Sequence, residues 1–135
     1  MAGRISAAQE RHAWLVAVTG DGEVLGYAYG APFKQREAYR WTCEVSVYLR
    51  PGVRGRGTGR ALYEALLTRL AERGMVVAVA VTTLPNDAGA ALHRALGFTE
   101  VGVFRGVGWK HGAWRDVVWY QRALADPPPD GPAVP

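Results

Sequence analysis

Three glycines and three arginines are interleaved through one short stretch, Arg54-Gly55-Arg56-Gly57-Thr58-Gly59-Arg60. Closely spaced glycines let a backbone approach a ligand and turn successive N–H groups inward. A helix starting at the end of such a loop adds the positive end of its dipole, and Arg54, Arg56 and Arg60 add full charges. The chemistry this favours is binding of a phosphate or diphosphate. Two phosphate motifs do not fit. Gly52 and Gly57 have the spacing of a nucleotide-hydrolysing P-loop, but Thr58-Gly59 follows and the lysine is absent. Gly57 and Gly59 begin a dinucleotide fingerprint, but Leu62 stands where its third glycine belongs. On the loop alone, a flexible basic turn between strand and helix fits equally well.

The elements around the loop decide its context. Residues 41–49 alternate, with Trp41, Cys43, Val45, Val47 and Leu49 on one face and Thr42, Glu44, Ser46 and Tyr48 on the other. The spacing predicts a strand leading into the loop. A helix over 59–73 follows, striped by Leu62, Leu66, Leu67 and Leu70 and closed at Gly74. Residues 75–81 are a continuous apolar run, the pattern of a strand buried on both faces in a parallel pair. Asn86 or Asp87 caps a second helix that runs to Leu96 and ends at Gly97. Earlier, residues 14–19 and 23–29 flank Gly20-Asp21-Gly22 and read as a hairpin. Residues 31–40 read as a loop. Residues 99–107 and 116–122 read as two last strands around a loop at 108–115. Residues 1–12 are expected to be a helical stub or a loose arm. The order predicts an α/β domain with a mixed sheet.

The 135 residues suit a single domain, placed at 1–125, followed by a proline-rich tail at 126–135 that is expected to be disordered. The net charge of +4 suits a small anionic ligand and is too slight to argue for nucleic acid. Cys43 is the single cysteine, so neither an internal disulfide nor a thiolate metal site is expected. Histidines at 12, 93 and 111 are too scattered to suggest a metal. No apolar run approaches the roughly 20 residues of a membrane span. The chain is expected to be cytoplasmic, with no membrane partner.

Arg54-x-x-Gly57-x-Gly59, between an alternating strand and a leucine-striped helix, resembles the acyl-CoA signature of the GNAT acetyltransferase superfamily. Three further segments resemble its phosphinothricin N-acetyltransferase branch: Ala38-Tyr39-Arg40-Trp41-Thr42-Cys43-Glu44; Leu84-Pro85-Asn86-Asp87 with Leu92-His93-Arg94-Ala95-Leu96-Gly97-Phe98; and Lys110-His111-Gly112-Ala113-Trp114-Arg115-Asp116-Val117. The resemblance implies a mostly antiparallel mixed sheet with a splayed parallel strand pair and flanking helices. It implies acetyl-CoA as cosubstrate, no metal, and a homodimer. The acceptor implied is a small amino-acid analogue such as phosphinothricin or methionine sulfoximine. Another amine (a polyamine, an antibiotic, a peptide N-terminus) and a non-catalytic acyl-CoA-binding fragment remain alternatives.

Site residues follow from the same resemblance. Gly55, Gly57, Thr58 and Gly59, with the three arginines, would hold the coenzyme diphosphate. Val47 and Leu49 would offer backbone groups to the pantetheine arm, and Asn86 would contact the coenzyme or acetyl region besides capping its helix. An attacking amine must first lose a proton. Glu44, on the polar strand face, matches the general base; a lone glutamate on a strand is otherwise usually just solvated. His93 stands where many members carry a tyrosine that protonates the departing thiolate. Its imidazole is open to acid, base-relay or substrate-contact roles, or to plain packing. Lys34, Arg36 and Tyr39 would line the acceptor site, where a cation can pair with a carboxylate. Lys110, His111 and Trp114 would lie near a dimer interface and shape the neighbouring pocket. Members of the family usually begin with a strand and two helices before the strand at Trp14. Here 13 residues precede it. The usual first strand and first helix are therefore expected to be lacking, with residues 5–12 a remnant of the second helix.

Overall fold

The strand before the glycine-rich loop folds as its alternation predicts. Cys43 and Val45 are buried, whereas Thr42, Glu44 and Ser46 are only partly covered. The computed structural model describes residues 3–8, 13–34, 37–53, 57–126 and 131, and only the backbone of 3–8. Its elements are β1 (Gly3–Ala8), β2 (Trp14–Thr19), β3 (Val24–Pro32), β4 (Thr42–Leu49), α1 (Thr58–Glu72), β5 (Val77–Thr83), α2 (Asp87–Ala95), β6 (Thr99–Lys110) and β7 (Ala113–Ala123). A 3-10 turn spans Glu37–Tyr39. The strands form one sheet in the order β1-β2-β3-β4-β5-β7-β6. The β4–β5 pair is parallel, and every other pair is antiparallel.

Both helices lie on one face of the sheet. The leucine stripe of α1 buries Leu62, Leu66, Leu67 and Leu70 against Leu15, Ala17, Ala28, Cys43 and Val45. Burial of this apolar surface is the main force holding the sheet to the helices. The opposite face carries Trp14, Tyr27, Tyr29 and Tyr48. Trp14 stacks on Tyr29 with ring centroids 4.7 Å apart, and Tyr27 packs on Tyr48 at 5.3 Å. No helix among the described residues covers this aromatic face.

Two expectations need correction. Residues 3–8 are not helical. They pair antiparallel with β2, from Gly3 opposite Thr19 to Ala8 opposite Trp14. The exposed edge of β2 offers a row of N–H and C=O groups, and pairing satisfies them where a short isolated helix would not hold. Residues 9–12, the rest of the expected helical remnant, lie outside the described residues. The loop expected at 108–115 is also a strand hairpin. Both strands continue to a two-residue turn at His111-Gly112, where φ is 51° and 75°. Positive φ at both turn positions is the geometry that matches the twist of paired strands. The cross-strand pair Trp109–Trp114, with centroids 5.3 Å apart, stands beside it. The expected tail at 126–135 lies outside the described residues apart from Asp126 and Gly131.

Candidate active site

The parallel ladder between β4 and β5 holds three pairs: Thr42 with Val77, Cys43 with Ala78, and Glu44 with Val79. Beyond Glu44 the two strands diverge and open a wedge in the sheet. Helix α1 points its N-terminus at the wedge's mouth, and α2 begins beside it. A cleft of about 420 Å³ lies between the end of β4 and the starts of α1 and α2. Its lining includes Val47 and Leu49 from β4, Gly57, Thr58, Gly59 and Arg60 from the start of α1, and Asn86 from the start of α2. Seven of the expected coenzyme residues thus converge from three elements. Arg54, Gly55 and Arg56 lie outside the described residues.

The local chemistry of this cleft suits a phosphate-bearing chain. Helix α1 has no side-chain cap, so its first N–H groups are available to an anion. Gly57, at its N-cap, has φ 74°, a conformation that costs a residue with a Cβ. A Cβ on Gly59 would lie 3.2 Å from Leu49 Cδ1, so the close approach of helix and strand depends on that glycine. Thr58 Oγ1 is buried beside the cleft with no hydrogen-bond partner among the described residues. An orphaned hydroxyl here costs stability unless a ligand meets it. Arg60 is exposed and its Nε donates to Glu64 Oε1 at 2.8 Å. Asn86 both lines the cleft and caps α2, accepting from Gly89 N–H at 2.9 Å. The residues fit a coenzyme diphosphate and its arm. Replacing Thr58 by the isosteric valine is therefore expected to leave the free protein as stable or slightly more so. Coenzyme A binding is expected to weaken about fivefold, the worth of one hydrogen bond; thermal unfolding and titration calorimetry check the two halves.

A second cleft, about 600 Å³, opens on the face away from the helices. Its walls are mainly apolar, with Val77, Val79, Phe104 and Trp119 among them, and Lys34 brings an ammonium group to its rim. Glu44 stands between the two clefts along β4. Thr42, two positions before it, lines the apolar cleft, and Val47, three after it, lines the cleft at the start of α1. Its carboxylate is partly exposed and opposes Ala31 on β3. Cys43, beside it, faces the core. Burial pushes its thiol up to about 11, which suits packing and not nucleophilic attack.

The other expected site residues are divided. Lys34 sits 5.2 Å over the Phe33 ring, and Tyr39 meets the same ring edge-on at 6.2 Å. Phe33 brings these two together, and of the pair only Lys34 lines the apolar cleft. Arg36 lies outside the described residues. Lys110, His111 and Trp114 are exposed at the far end of the β6–β7 hairpin and line neither cleft. His93 also lines neither. It is 5% exposed, stacked on Tyr120 at 4.8 Å, with both ring nitrogens within hydrogen-bond distance of protein atoms. Burial lowers its affinity for a second proton. Its partner Tyr63 is a residue the motif reading did not single out. The available signal was its place beside Leu62 on the buried stripe of α1. Phe33, Trp119 and Gln121, which line the apolar cleft, were likewise not singled out as site residues; the period-2 pattern of 117, 119 and 121 was the clue to the last two.

Comparisons with known proteins agree with this geometry. The model of the acetyltransferase (GNAT) family matches residues 3–98. A phosphinothricin N-acetyltransferase of Streptomyces viridochromogenes is 44% identical over 127 residues, covering 94% of this chain and 69% of that protein. An L-methionine sulfoximine/L-methionine sulfone acetyltransferase of Pseudomonas paraeruginosa is 41% identical over 125 residues, covering 93% and 72%. A solved phosphinothricin acetyltransferase from Sinorhizobium meliloti, in complex with acetyl-CoA, superposes with a TM-score of 0.81 at 42% identity. It is matched over 84% of this chain and 61% of its own, so this chain spans less than two thirds of that structure. With the wedge, the uncapped helix and the glycine approach in place, the chain belongs to the acetyltransferase (GNAT) family, in its phosphinothricin N-acetyltransferase branch.

Proposed function

We propose that this chain moves an acetyl group from acetyl-CoA to the amino group of a small amino-acid analogue of the phosphinothricin or methionine sulfoximine kind. The observation that carries the reading is the position of Glu44, at the last rung of the parallel ladder, between a phosphate-suited cleft and an apolar cleft edged by a cation. Acetyl-CoA, when bound, supplies the activated acyl group. The N–H groups at Thr58, Gly59 and Arg60 would hold its diphosphate, together with the arginines and glycine at 54–56. Val47 and Leu49 would guide its arm, and Asn86 would close the cleft's α2 side. Glu44 would take a proton from the acceptor's ammonium group, directly or through one water. Lys34, with Arg36 and Tyr39, would hold the acceptor's carboxylate. An amine of this kind is protonated near neutral pH, so the base is needed for attack to begin.

The exposed end of the β6–β7 hairpin supports a homodimer. Trp109 and Trp114 are both more than half exposed there, and paired exposed tryptophans of this kind favour an interface. Lys110, His111 and Trp114 would then reach the neighbouring subunit's acceptor side. Lys34 at the cleft rim argues against a polyamine, whose charges it would repel. The test is thiol release from acetyl-CoA with a panel of phosphinothricin, methionine sulfoximine, polyamines and peptides. Turnover confined to the first two supports the reading. Turnover only with the others would redirect it, and coenzyme binding without turnover would favour a non-catalytic acyl-CoA-binding role.

A further inference from the structure

The two helices that frame the coenzyme cleft are joined by one buried polar contact. Tyr63 Oη on α1 lies 3.2 Å from His93 Nε2 on α2. His93 Nδ1 lies 2.8 Å from the carbonyl oxygen of Gly89, one turn earlier on its own helix. A carbonyl oxygen only accepts, so Nδ1 must carry the hydrogen there. Burial disfavours the doubly protonated ring, which leaves Nε2 as a bare acceptor. The phenol must then donate to Nε2. Burial first, and the nearby Glu44 and Tyr29 after it, hold the Tyr63 proton on its oxygen. The rings of Phe98 and Tyr120 enclose the imidazole, with Tyr120 stacked on it at 4.8 Å and Phe98 edge-on at 5.3 Å. Each end of the contact lies about one turn from cleft residues: Tyr63 follows Gly59 by four positions, and His93 follows Gly89 by four.

We propose that Tyr63 is a positioning residue that donates to His93 Nε2, fixes the imidazole with its hydrogen on Nδ1, and thereby holds the N-terminal turns of α1 and α2 at the separation that accepts coenzyme A. On this assignment the imidazole has no hydrogen to give at Nε2, and its other hydrogen is held by Gly89. The pair therefore sets cleft geometry and does not supply the proton for a leaving thiol. Without the bond, the free protein samples other helix separations, and bound coenzyme must restore the right one. The effect on affinity cannot exceed the net worth of the bond.

The inference rests on the proposed coenzyme cleft, and the experiment separates the two. Nitrogen-15 NMR of the unmodified, ligand-free protein reads the His93 tautomer directly. The expected signature is a hydrogen on Nδ1 and a bare Nε2 at neutral pH. A hydrogen on Nε2, or on both nitrogens, overturns the hydrogen-bond assignment whatever the variants do. Titration of coenzyme A then reads the positioning role. Tyr63→Phe and His93→Leu, cut from opposite ends of the bond, are each expected to raise Kd roughly fivefold, and the double variant no further than either alone. Unchanged Kd in the folded single variants, or losses that simply multiply, overturns the positioning role. No coenzyme binding by the unmodified protein would instead refute the cleft assignment and leave the tautomer result to judge the hydrogen bond.

Discussion

Replacing Glu44 by glutamine is expected to slow acetyl transfer by about 10²–10⁴-fold at neutral pH, the usual worth of a positioned general base. Coenzyme binding should be nearly intact, because Glu44 lines neither cleft and the groups proposed to hold the diphosphate lie at the start of α1. The amide keeps the size of the carboxylate and loses only its capacity to take a proton. That gives the loss a pH signature. As pH rises toward the acceptor amine's own pKa, solvent removes the proton that Glu44 would have taken, and the deficit of the variant shrinks. Steady-state rates across that range, beside an acetyl-CoA titration, check both parts. Equal turnover for variant and parent at neutral pH removes Glu44 from the chemistry. Lost coenzyme affinity would mean that the substitution had disturbed the β4–β5 wedge.

The second large effect is expected from Gly57→Val. Gly57 holds φ 74° as the N-cap of α1, and a β-branched residue is strained there. Space is not the obstacle, because a Cβ at this position meets no atom within 4 Å. The cost is conformational, about 1–2 kcal/mol for a left-handed residue, which corresponds to an affinity loss of roughly 5–30-fold if binding requires that backbone shape. If the loop relaxes to relieve the strain, stability is spared and affinity falls. If it cannot, the strain is carried by free and bound protein alike, so stability falls and affinity is spared. Calorimetric titration with coenzyme A and an unfolding curve on the same sample tell these apart. Normal affinity together with undiminished stability would show that the left-handed turn is not part of the binding surface.

Much of the fold was readable because its local signals agree. The alternation of 41–49 and the leucine stripe of α1 each match one environment, a half-buried strand and a one-sided helix, and the apolar run at 75–81 marks a strand; its expected cover on both faces is not found, because Val77 and Val79 face the apolar cleft. Asn86 was readable as a cap, since an asparagine before an alanine-rich run is what an N-terminus needs. Two segments misled for identifiable reasons. Residues 3–8 have no strong period of their own, and what makes them a strand is the edge of β2, a partner that becomes visible only in the folded sheet. Residues 108–115 are glycine-rich and polar enough to read as a loop. Pairing of Trp109 with Trp114 and the left-handed turn at His111-Gly112 carry the strands through.

The candidate site was legible to a different depth on its two sides. Val47, Leu49, Gly57, Thr58, Gly59, Arg60 and Asn86, which the family resemblance assigned to the coenzyme, line one cleft. Of the apolar cleft, proposed as the acceptor side, only Lys34 was legible, because its walls come mainly from β5, β6 and β7, and no short motif spans three strands. His93 stood out as a titratable residue on a helix, yet what governs it is Tyr63, thirty positions earlier and joined to it only by tertiary packing.

A structure of the protein with coenzyme A bound tests the account most directly. The account predicts the diphosphate against the N-terminus of α1, at Thr58 and Gly59, with the arm running along Val47 and Leu49 and the thiol end in the wedge within reach of Glu44. Coenzyme lying in the apolar cleft, or bound with its thiol turned away from Glu44, would contradict it.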